Sequence, residues 1–176
     1  MNAEPNRLIA DHGTWQEWDV STPSCPGAIM KIDTPDWIAL RTCYKGKVAA
    51  FNTRGFIYAR VWHKGTFKSI HRIVLGLAPK VWTDHANHDG LDNRRRNIRV
   101  ATVGENGANR GVFKNNTSGA TGVGWSNVVN KWFARIWKNN KCVYLGAFTE
   151  RSDAISARKA AEIEHFGKFR YKIARS

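Results

Sequence analysis

The chain has 176 residues, and 28 Lys and Arg against 14 Asp and Glu give it a formal net charge of +14. Apolar residues make up 42% of it, too many for a disordered tail, and nowhere form the run of about 18 that a membrane-spanning helix needs. The three cysteines, Cys25, Cys43 and Cys142, are too few and too widely spaced for a disulfide framework or a zinc knuckle. We therefore expect a globular protein without membrane segments, whose charge calls for a polyanionic partner.

The charge is unevenly distributed along the chain. Residues 1–60 carry a net charge of +1, residues 61–116 carry +6 and residues 117–176 carry +7. In the last third, basic residues alternate with aromatic ones, as in Arg135-Ile136-Trp137-Lys138. Phosphates attract cations and bases stack on flat apolar groups, so this pattern favours a nucleic-acid partner over a merely solvated basic surface. The first residues lack the basic and apolar regions of a signal peptide, which predicts a cytoplasmic protein.

The N-terminal third predicts an arm followed by strands. Residues 1–35 hold Trp15 and Trp18 and carry a net charge of −3, and we treat them as an N-terminal arm of unknown role. From Trp37 to Trp62 the pattern is strand-like. Within it, strands are predicted over 47–51 and 56–62, on either side of a polar turn.

The middle third predicts short elements around a polar loop. In chain order these are a helix over 68–77, a strand over 81–83 that leads into Asp84-His85, a polar loop over 87–97, a strand over 98–101 and a helix over 102–110. Thr102 at the N-cap and Glu105 three residues later make a capping box for the last of these helices.

The C-terminal third predicts a small sheet covered by one helix. A linker-like stretch of Asn, Thr, Ser and Gly over 115–119 places a domain boundary near 113–117. The predicted elements after it are strands over 123–126, 131–138 and 141–145 and a helix over 150–165, capped by Thr149 and ended by Gly167. Asn139-Asn140 indicates a tight hairpin between the second and third strands.

Polar residues recur in one long ordered pattern in the middle third. It consists of His71-Arg72, Asp84-His85-Ala86-Asn87-His88-Asp89-Gly90-Leu91-Asp92-Asn93-Arg94, Asn97-Ile98-Arg99, Glu105-Asn106 and Asn109-Arg110. This pattern resembles the HNH endonuclease family, and it looks closest to the phage and intron-associated homing and nicking branch. The resemblance implies an α+β fold in which an HNH ββα-metal finger, of the His-Me type, occupies 36–113. It also implies a location in the cytoplasm of a bacterial host cell.

The resemblance implies a role for each residue of the nuclease site. Asp84 and Asn106 would offer oxygen ligands to a divalent cation, His85 would be the general base, and Asn97 would hold its imidazole. Asn106 stands where the family usually has His, which argues for Mg²⁺ or Mn²⁺, because an amide oxygen is a harder donor than an imidazole nitrogen. No cysteine pairs flank the motif, so no structural zinc is expected.

Each of these residues also has a simpler structural interpretation. Asp84 and His85 could be a structural hydrogen-bonded pair, and Asn106 could be a helix-surface or capping residue. His71 could serve the site or only pack in the core, and His88 could touch metal or phosphate or be a solvated loop residue. A run of three arginines is usually solvated, but beside a phosphodiesterase site we favour phosphate contacts from the set Arg94, Arg95 and Arg96.

A second pattern covers about 117–170. It consists of Thr121-Gly122-Val123-Gly124-Trp125, Lys131-Trp132-Phe133-Ala134-Arg135-Ile136, Val143-Tyr144-Leu145-Gly146-Ala147-Phe148, Asp153-Ala154-Ile155-Ser156-Ala157 and Phe166-Gly167. It resembles the Apetala-type (ethylene-response-factor) DNA-binding domain. The resemblance implies a three-stranded antiparallel sheet that lies in the major groove of double-stranded DNA, with a helix behind it.

Period-two alternation predicts which face of this sheet meets DNA. On the second strand it directs Trp132, Ala134 and Ile136 towards the helix and the residues between them outwards. The predicted DNA-binding set is Arg135, Trp137 and Tyr144, with Trp125 or Ser126 on the first strand. The alternative is that this face is buried against the nuclease module.

Together these patterns predict a metal-dependent HNH DNA endonuclease of homing or nicking type, whose site is recognised partly by the C-terminal domain. The first alternative is a DNA-binding regulator with an inactive HNH module. The second is a structure-specific nuclease of phage DNA processing. The sequence leaves open the target site, nick versus double-strand cut, and monomer versus homodimer.

Overall fold

The computed structural model describes residues 6–109, 111–112, 116–138 and 141–170. Contacts divide the chain into two compact units, Met1–Val100 and Ala101–Ser176, which we call unit 1 and unit 2. Both combine helices with small antiparallel sheets, which confirms the α+β fold class. Within the described ranges, no helix is long and apolar enough to cross a membrane.

The first sheet of unit 1 is an antiparallel meander of β1 (Leu8–Asp11), β2 (Trp15–Asp19) and β3 (Ile29–Asp33). Met30 and Ile32, alternate residues of β3, are fully buried, because alternate side chains of a strand share one face. They belong to the same core as the buried residues of the next sheet. Residues 6–35, the described part of the segment that we treated as an arm, are therefore an integral part of unit 1.

Helix α1 (Thr34–Cys43) follows β3 directly. Its start is favoured by Pro35 in the first turn and by Asp36, whose charge complements the helix dipole. Trp37 and Leu40 are buried at helical spacing, and the Trp37 ring stacks on Trp18 with the centroids 4.2 Å apart. The strand-like pattern expected from Trp37 onwards is therefore wrong over 37–43.

The second sheet of unit 1 has the order β4 (Val48–Thr53), β5 (Phe56–His63) and β6 (Thr66–Ser69), with all pairs antiparallel. The predicted hairpin is confirmed, and one face of the sheet is buried through Val48, Ala50, Ala59 and Val61. Helix α2 (Ile70–Val74) is shorter than predicted, because Lys68 and Ser69 belong to β6. Its buried residues, Ile70 and Val74, join the core.

The last strands of unit 1, β7 (Thr83–His85) and β8 (Ile98–Val100), form an antiparallel pair. The loop between them is tied to β3, since the Lys31 amide donates to the Leu91 carbonyl at 2.9 Å and the Asn93 amide donates to the Lys31 carbonyl at 2.7 Å. Gly90 lies so close to β5 that a Cβ there would come within 2.3 Å of the Ile57 carbonyl oxygen. The loop between β7 and β8 therefore contacts both three-stranded sheets of unit 1, through β3 of the first and β5 of the second.

Unit 2 begins with helix α3 (Val103–Ala108). The predicted capping box is present, because the Thr102 hydroxyl accepts from the Glu105 amide at 3.2 Å and the Glu105 carboxylate accepts from the Thr102 amide at 2.7 Å. The predicted order of strand, loop, strand and helix is thus observed along the chain. The contact boundary, however, falls between β8 and α3, upstream of the stretch 113–117, of which 113–115 lie outside the described residues.

The rest of unit 2 is an antiparallel sheet covered by a helix. The strands are β9 (Val123–Ser126), β10 (Lys131–Lys138) and β11 (Lys141–Phe148), in the order β11-β10-β9. Helix α4 (Arg151–Phe166) packs on the sheet, and a short 3-10 helix, Gly167–Phe169, follows it. The three predicted strands and the helix are confirmed. Two details differ: β11 continues to Phe148, and Glu150, not Thr149, is at the N-cap. The predicted Asn139-Asn140 turn lies outside the described residues.

Candidate functional site

Asp84 and Arg99 form a charge pair across β7 and β8. The two residues are directly opposite each other in the antiparallel register. Arg99 donates to Asp84 Oδ2 from Nε at 2.8 Å and from Nη2 at 2.6 Å. The Asp84 side chain is 6% exposed and that of Arg99 17% exposed, so the pair is largely shielded from water. Sequence reasoning gave Arg99 no role, although its place in the polar pattern was a usable signal.

His85, the next residue of β7, lies in a cluster of aromatic rings. Its ring is 5.1 Å from that of His71 and 5.8 Å from that of Tyr58, centroid to centroid. The structure thus brings His71 of α2 to His85, one of the two alternatives that the sequence left open for His71. Tyr58 was missed, because a tyrosine in the middle of a predicted strand gives no sign of which site it joins.

Burial controls the protonation of these side chains. It lowers the pKa of His85, although the Asn93 side chain and the carboxylates of Asp89, Asp84 and Asp92 act in the opposite direction. Burial, with the charges of His85 and Arg72 adding to it, lowers the pKa of His71 to about 3. Burial and the Asp84 charge raise the pKa of Tyr58. At neutral pH both imidazoles are therefore uncharged and His85 is able to accept a proton.

The pH dependence of stability is expected to report the buried His71. Its pKa is about 3 in the folded protein and near 6.5 in the unfolded chain, so unfolding takes up a proton as the pH falls below about 6.5. The folded state should lose about 2 kcal/mol through this group between pH 7 and pH 5. The free energy of unfolding, measured with denaturant at pH 7 and pH 5, should fall less in His71→Phe than in wild type. The exposed His12→Phe is the control, and equal pH slopes in all three proteins would contradict the assignment.

Asn97 closes the loop between β7 and β8. It is buried, its Nδ2 donates to the Asp92 carbonyl at 2.7 Å, and its Oδ1 accepts from the Asn87 amide at 3.0 Å. Its backbone carbonyl accepts from the Ala86 amide at 2.9 Å. These bonds make Asn97 a structural tie for the loop that follows His85. Its predicted contact with the His85 imidazole stays a prediction.

The three consecutive arginines lie in different environments. Arg94 is buried, pairs with Asp92 through two bonds of 2.7 and 2.6 Å, and lies over the Trp15 ring at 4.3 Å. Arg95 is exposed and makes two bonds to the Asp36 carboxylate, at 2.8 and 2.7 Å. Arg96 is exposed and forms no ion pair with a described residue. The predicted phosphate contact is therefore wrong for Arg94, whose charge is used inside unit 1, and stays a prediction for the other two.

His88 lies near the charge pair on a strained turn. It adopts φ +66°, the left-handed region that favours glycine, and its amide donates to the His85 carbonyl at 3.0 Å. Partial burial lowers its pKa, with the charge of Asp84 acting against this and that of Arg99 reinforcing it. His88 is thus close enough to the Asp84–Arg99 pair for both charges to shift its pKa. Its contact with metal or phosphate stays a prediction.

The predicted hard oxygen ligand in this part of unit 1 is the Asp84 carboxylate, and the carboxylates of Asp89 and Asp92 also act on the pKa of His85. Within the described ranges no group of three or more His, Cys, Asp and Glu side chains is arranged to hold a metal ion. Mg²⁺ commonly binds through one or two carboxylates, with waters and substrate phosphate completing its shell, so the Asp84 carboxylate suits Mg²⁺ or Mn²⁺. Asn106, the predicted second ligand, is a half-buried residue of α3 in unit 2.

The sheet of unit 2 has an outward face rich in cations and aromatic rings. Arg135 is opposite Tyr144, and Lys131 is opposite Ser126, so these four side chains share the face with Phe133 and Trp137. Trp137 is 60% and Tyr144 64% exposed, whereas Ala134 and Ile136 on the other face are fully buried. The predicted alternation on β10 is therefore confirmed.

Trp125 is on the other face. It is directly opposite Trp132, and their rings meet edge to face with the centroids 5.4 Å apart. Its neighbour two residues back, Val123, is buried in the core of unit 2. Of the two alternatives on β9, the β9–β10 register places Ser126, and not Trp125, on the outward face, where its DNA contact stays a prediction.

No family model matches the chain, and no curated protein and no solved structure matches it significantly. The assignment of a function therefore depends on the chemistry of the Asp84–His85 cluster in unit 1 and of the outward sheet face in unit 2.

Proposed function

We propose that the protein is a metal-dependent HNH-type DNA endonuclease of homing or nicking type, in which the β7–β8 pair of unit 1 carries the residues that cut and the sheet of unit 2 recognises part of the site. The observation that supports this most is the pairing, on one short strand, of a carboxylate held by an arginine with a buried, uncharged imidazole. Phosphodiester hydrolysis needs both a proton acceptor and positive charge near the phosphate.

His85 is the general base in this proposal. Its neutral imidazole takes the proton from the attacking water, and the rings of His71 and Tyr58 fix its position and keep solvent away. Asp84 would hold Mg²⁺ or Mn²⁺, which when bound supplies charge neutralisation at the phosphate. Asn97 orders the loop that follows the base.

The Arg99–Asp84 pair also favours the second candidate, a DNA-binding regulator with an inactive module. A guanidinium on the carboxylate neutralises the charge that a cation would seek, as a purely structural ion pair would. In that case the protein binds DNA through unit 2 and cuts nothing.

Incubation of supercoiled plasmid with Mg²⁺ separates the two candidates. Wild type should convert the plasmid to nicked circles, while His85→Ala and wild type with a chelator should leave it supercoiled. Gel shifts on the same DNA, without a divalent ion, should give equal affinity for wild type and His85→Ala. Intact plasmid with both proteins, together with normal gel shifts, would favour the regulator.

The outward face of the unit 2 sheet is proposed to bind duplex DNA, with its cations on phosphates and its aromatic rings on bases and sugars. Arg135→Ala and Trp137→Ala should each weaken DNA binding by about 1–3 kcal/mol, the usual cost of one good base contact. Trp125→Ala is the matched control, because Trp125 is 47% exposed on the opposite face of the same sheet. Equal affinities in all three variants, measured by fluorescence anisotropy, would exclude this face as the binding surface.

A further inference from the structure

The second sheet of unit 1 has an outer face that its core does not use. The alternation that buries Val61 and Ala59 directs the intervening side chains to the other side of β5, and their partners on β4 and β6 share that side. We call this the aromatic face, and it consists of Phe51, Phe56, Tyr58, Arg60, Trp62 and Phe67. Phe56 is 58%, Trp62 52% and Phe67 50% exposed.

A guanidinium is held between the rings of this face. Arg60 Cζ lies 3.7 Å from the Phe67 ring centroid and 4.5 Å from that of Phe51. Trp62 meets Phe67 edge to face at 4.7 Å. The aromatic face thus presents several aromatic rings with a guanidinium fixed between them. Nucleobases stack on surfaces of this kind.

All formally charged side chains of this sheet are basic. Residues 48–69, which form the whole sheet, contain four basic residues, Arg54, Arg60, Lys64 and Lys68, and no Asp or Glu. Two copies of such a face would repel each other, whereas a polyanion is attracted. A nucleic acid therefore fits this surface better than a second copy of the chain.

The aromatic face is continuous with the candidate nuclease site. The Phe51 and Tyr58 ring centroids are 6.0 Å apart, and the same Tyr58 ring is 5.8 Å from that of His85. A strand whose phosphate lies at Asp84 and His85 would meet this row of rings beside the scissile bond.

We propose that the aromatic face binds unpaired bases of the DNA substrate next to the cut, so that the strand is held locally open when it is hydrolysed. This inference rests on the proposed function, because it takes the Asp84–His85 site as the place of cutting. The face favours single-stranded over paired DNA, since stacking needs the exposed planes of unpaired bases.

The test is binding of a fluorescent single-stranded DNA oligonucleotide and of the same sequence as a duplex, in the absence of divalent ions. Trp62→Ala and Phe67→Ala should each weaken single-strand binding about tenfold, the effect of one lost base stack, and change duplex binding little. Trp82→Ala is the matched control, because Trp82 is 55% exposed and outside the aromatic face. Ultraviolet cross-linking of a bromouracil-substituted strand to wild type should identify Trp62 or Phe67, which keeps the test valid if a variant misfolds.

Unchanged single-strand affinity in both variants, with cross-links elsewhere, would overturn the proposal. So would a change of oligomeric state in Trp62→Ala without a loss of affinity, because the face would then join copies of the chain. Cleavage is scored separately on plasmid. If the wild-type protein never cuts plasmid but Trp62→Ala still loses single-strand affinity, the nuclease proposal is refuted. Binding of single-stranded DNA by the aromatic face is then supported on its own.

Discussion

Asp84→Ala is expected to abolish DNA cleavage and to leave DNA affinity close to that of wild type. The proposed site has one carboxylate for the divalent cation in unit 1, and without it the charge of the phosphate in the transition state is no longer relieved. The loss should be at least about 4 kcal/mol of transition-state stabilisation, roughly a thousandfold in rate. Initial rates of plasmid nicking measure it, and gel shifts measure the affinity.

Asp84 also pairs with Arg99, so its removal leaves a largely buried guanidinium without its carboxylate. Asp92→Ala is the control for that effect, because it likewise leaves a largely buried guanidinium, that of Arg94, without its carboxylate. Thermal unfolding of both variants separates loss of folding from loss of chemistry. A folded Asp84→Ala protein that nicks DNA at the wild-type rate would refute the assigned role.

Arg94→Ala is expected to be the most destabilising change among the three consecutive arginines. The side chains of Arg94 and Asp92 are only 10% and 2% exposed, so the substitution leaves a buried carboxylate uncompensated, at a cost of about 3–5 kcal/mol. Burial alone would raise the pKa of Asp92, but the hydrogen bonds and charge of Arg94, with the Asn87 amide, lower it below its usual value. The pair therefore stabilises the fold above about pH 4 and loses this contribution as the pH falls through the depressed pKa.

Arg95→Ala provides the matched comparison for Arg94→Ala. Arg95 makes the same two-bond contact with a carboxylate, but its side chain is 60% exposed, so its loss should cost less than about 1 kcal/mol. Urea unfolding at pH 7 should show this difference, and lowering the pH towards 3 should reduce it. Equal destabilisation by the two changes would show that the buried pair does not stabilise unit 1.

The parts of the fold that depend on neighbouring residues could be predicted from the sequence. The capping box of Thr102 and Glu105 is such a case, since both partners lie within one turn. The outward direction of Arg135 and Trp137 is another, because alternation along one strand determines it.

Features that depend on distant pairing could not be predicted. Nothing near Trp125 determines the β9–β10 register that turns it towards the helix side. Likewise, nothing near Arg94 indicates that its guanidinium lies over the Trp15 ring, because β2 and the loop of residues 86–97 are far apart in the sequence. The position of Tyr58 against His85 has the same cause.

The most direct test of the central claim, that this chain cuts DNA at a site it recognises, is the mapping of new DNA ends. Genomic DNA from a phage and from its bacterial host is incubated with Mg²⁺ and either wild type or Asp84→Ala, and the ends are sequenced. We expect ends in the wild-type sample at a few positions that share a sequence, and none of them with Asp84→Ala. Ends only at branched or damaged DNA, without a shared sequence, would indicate a structure-specific nuclease. Identical end profiles for the two proteins would contradict the nuclease assignment itself.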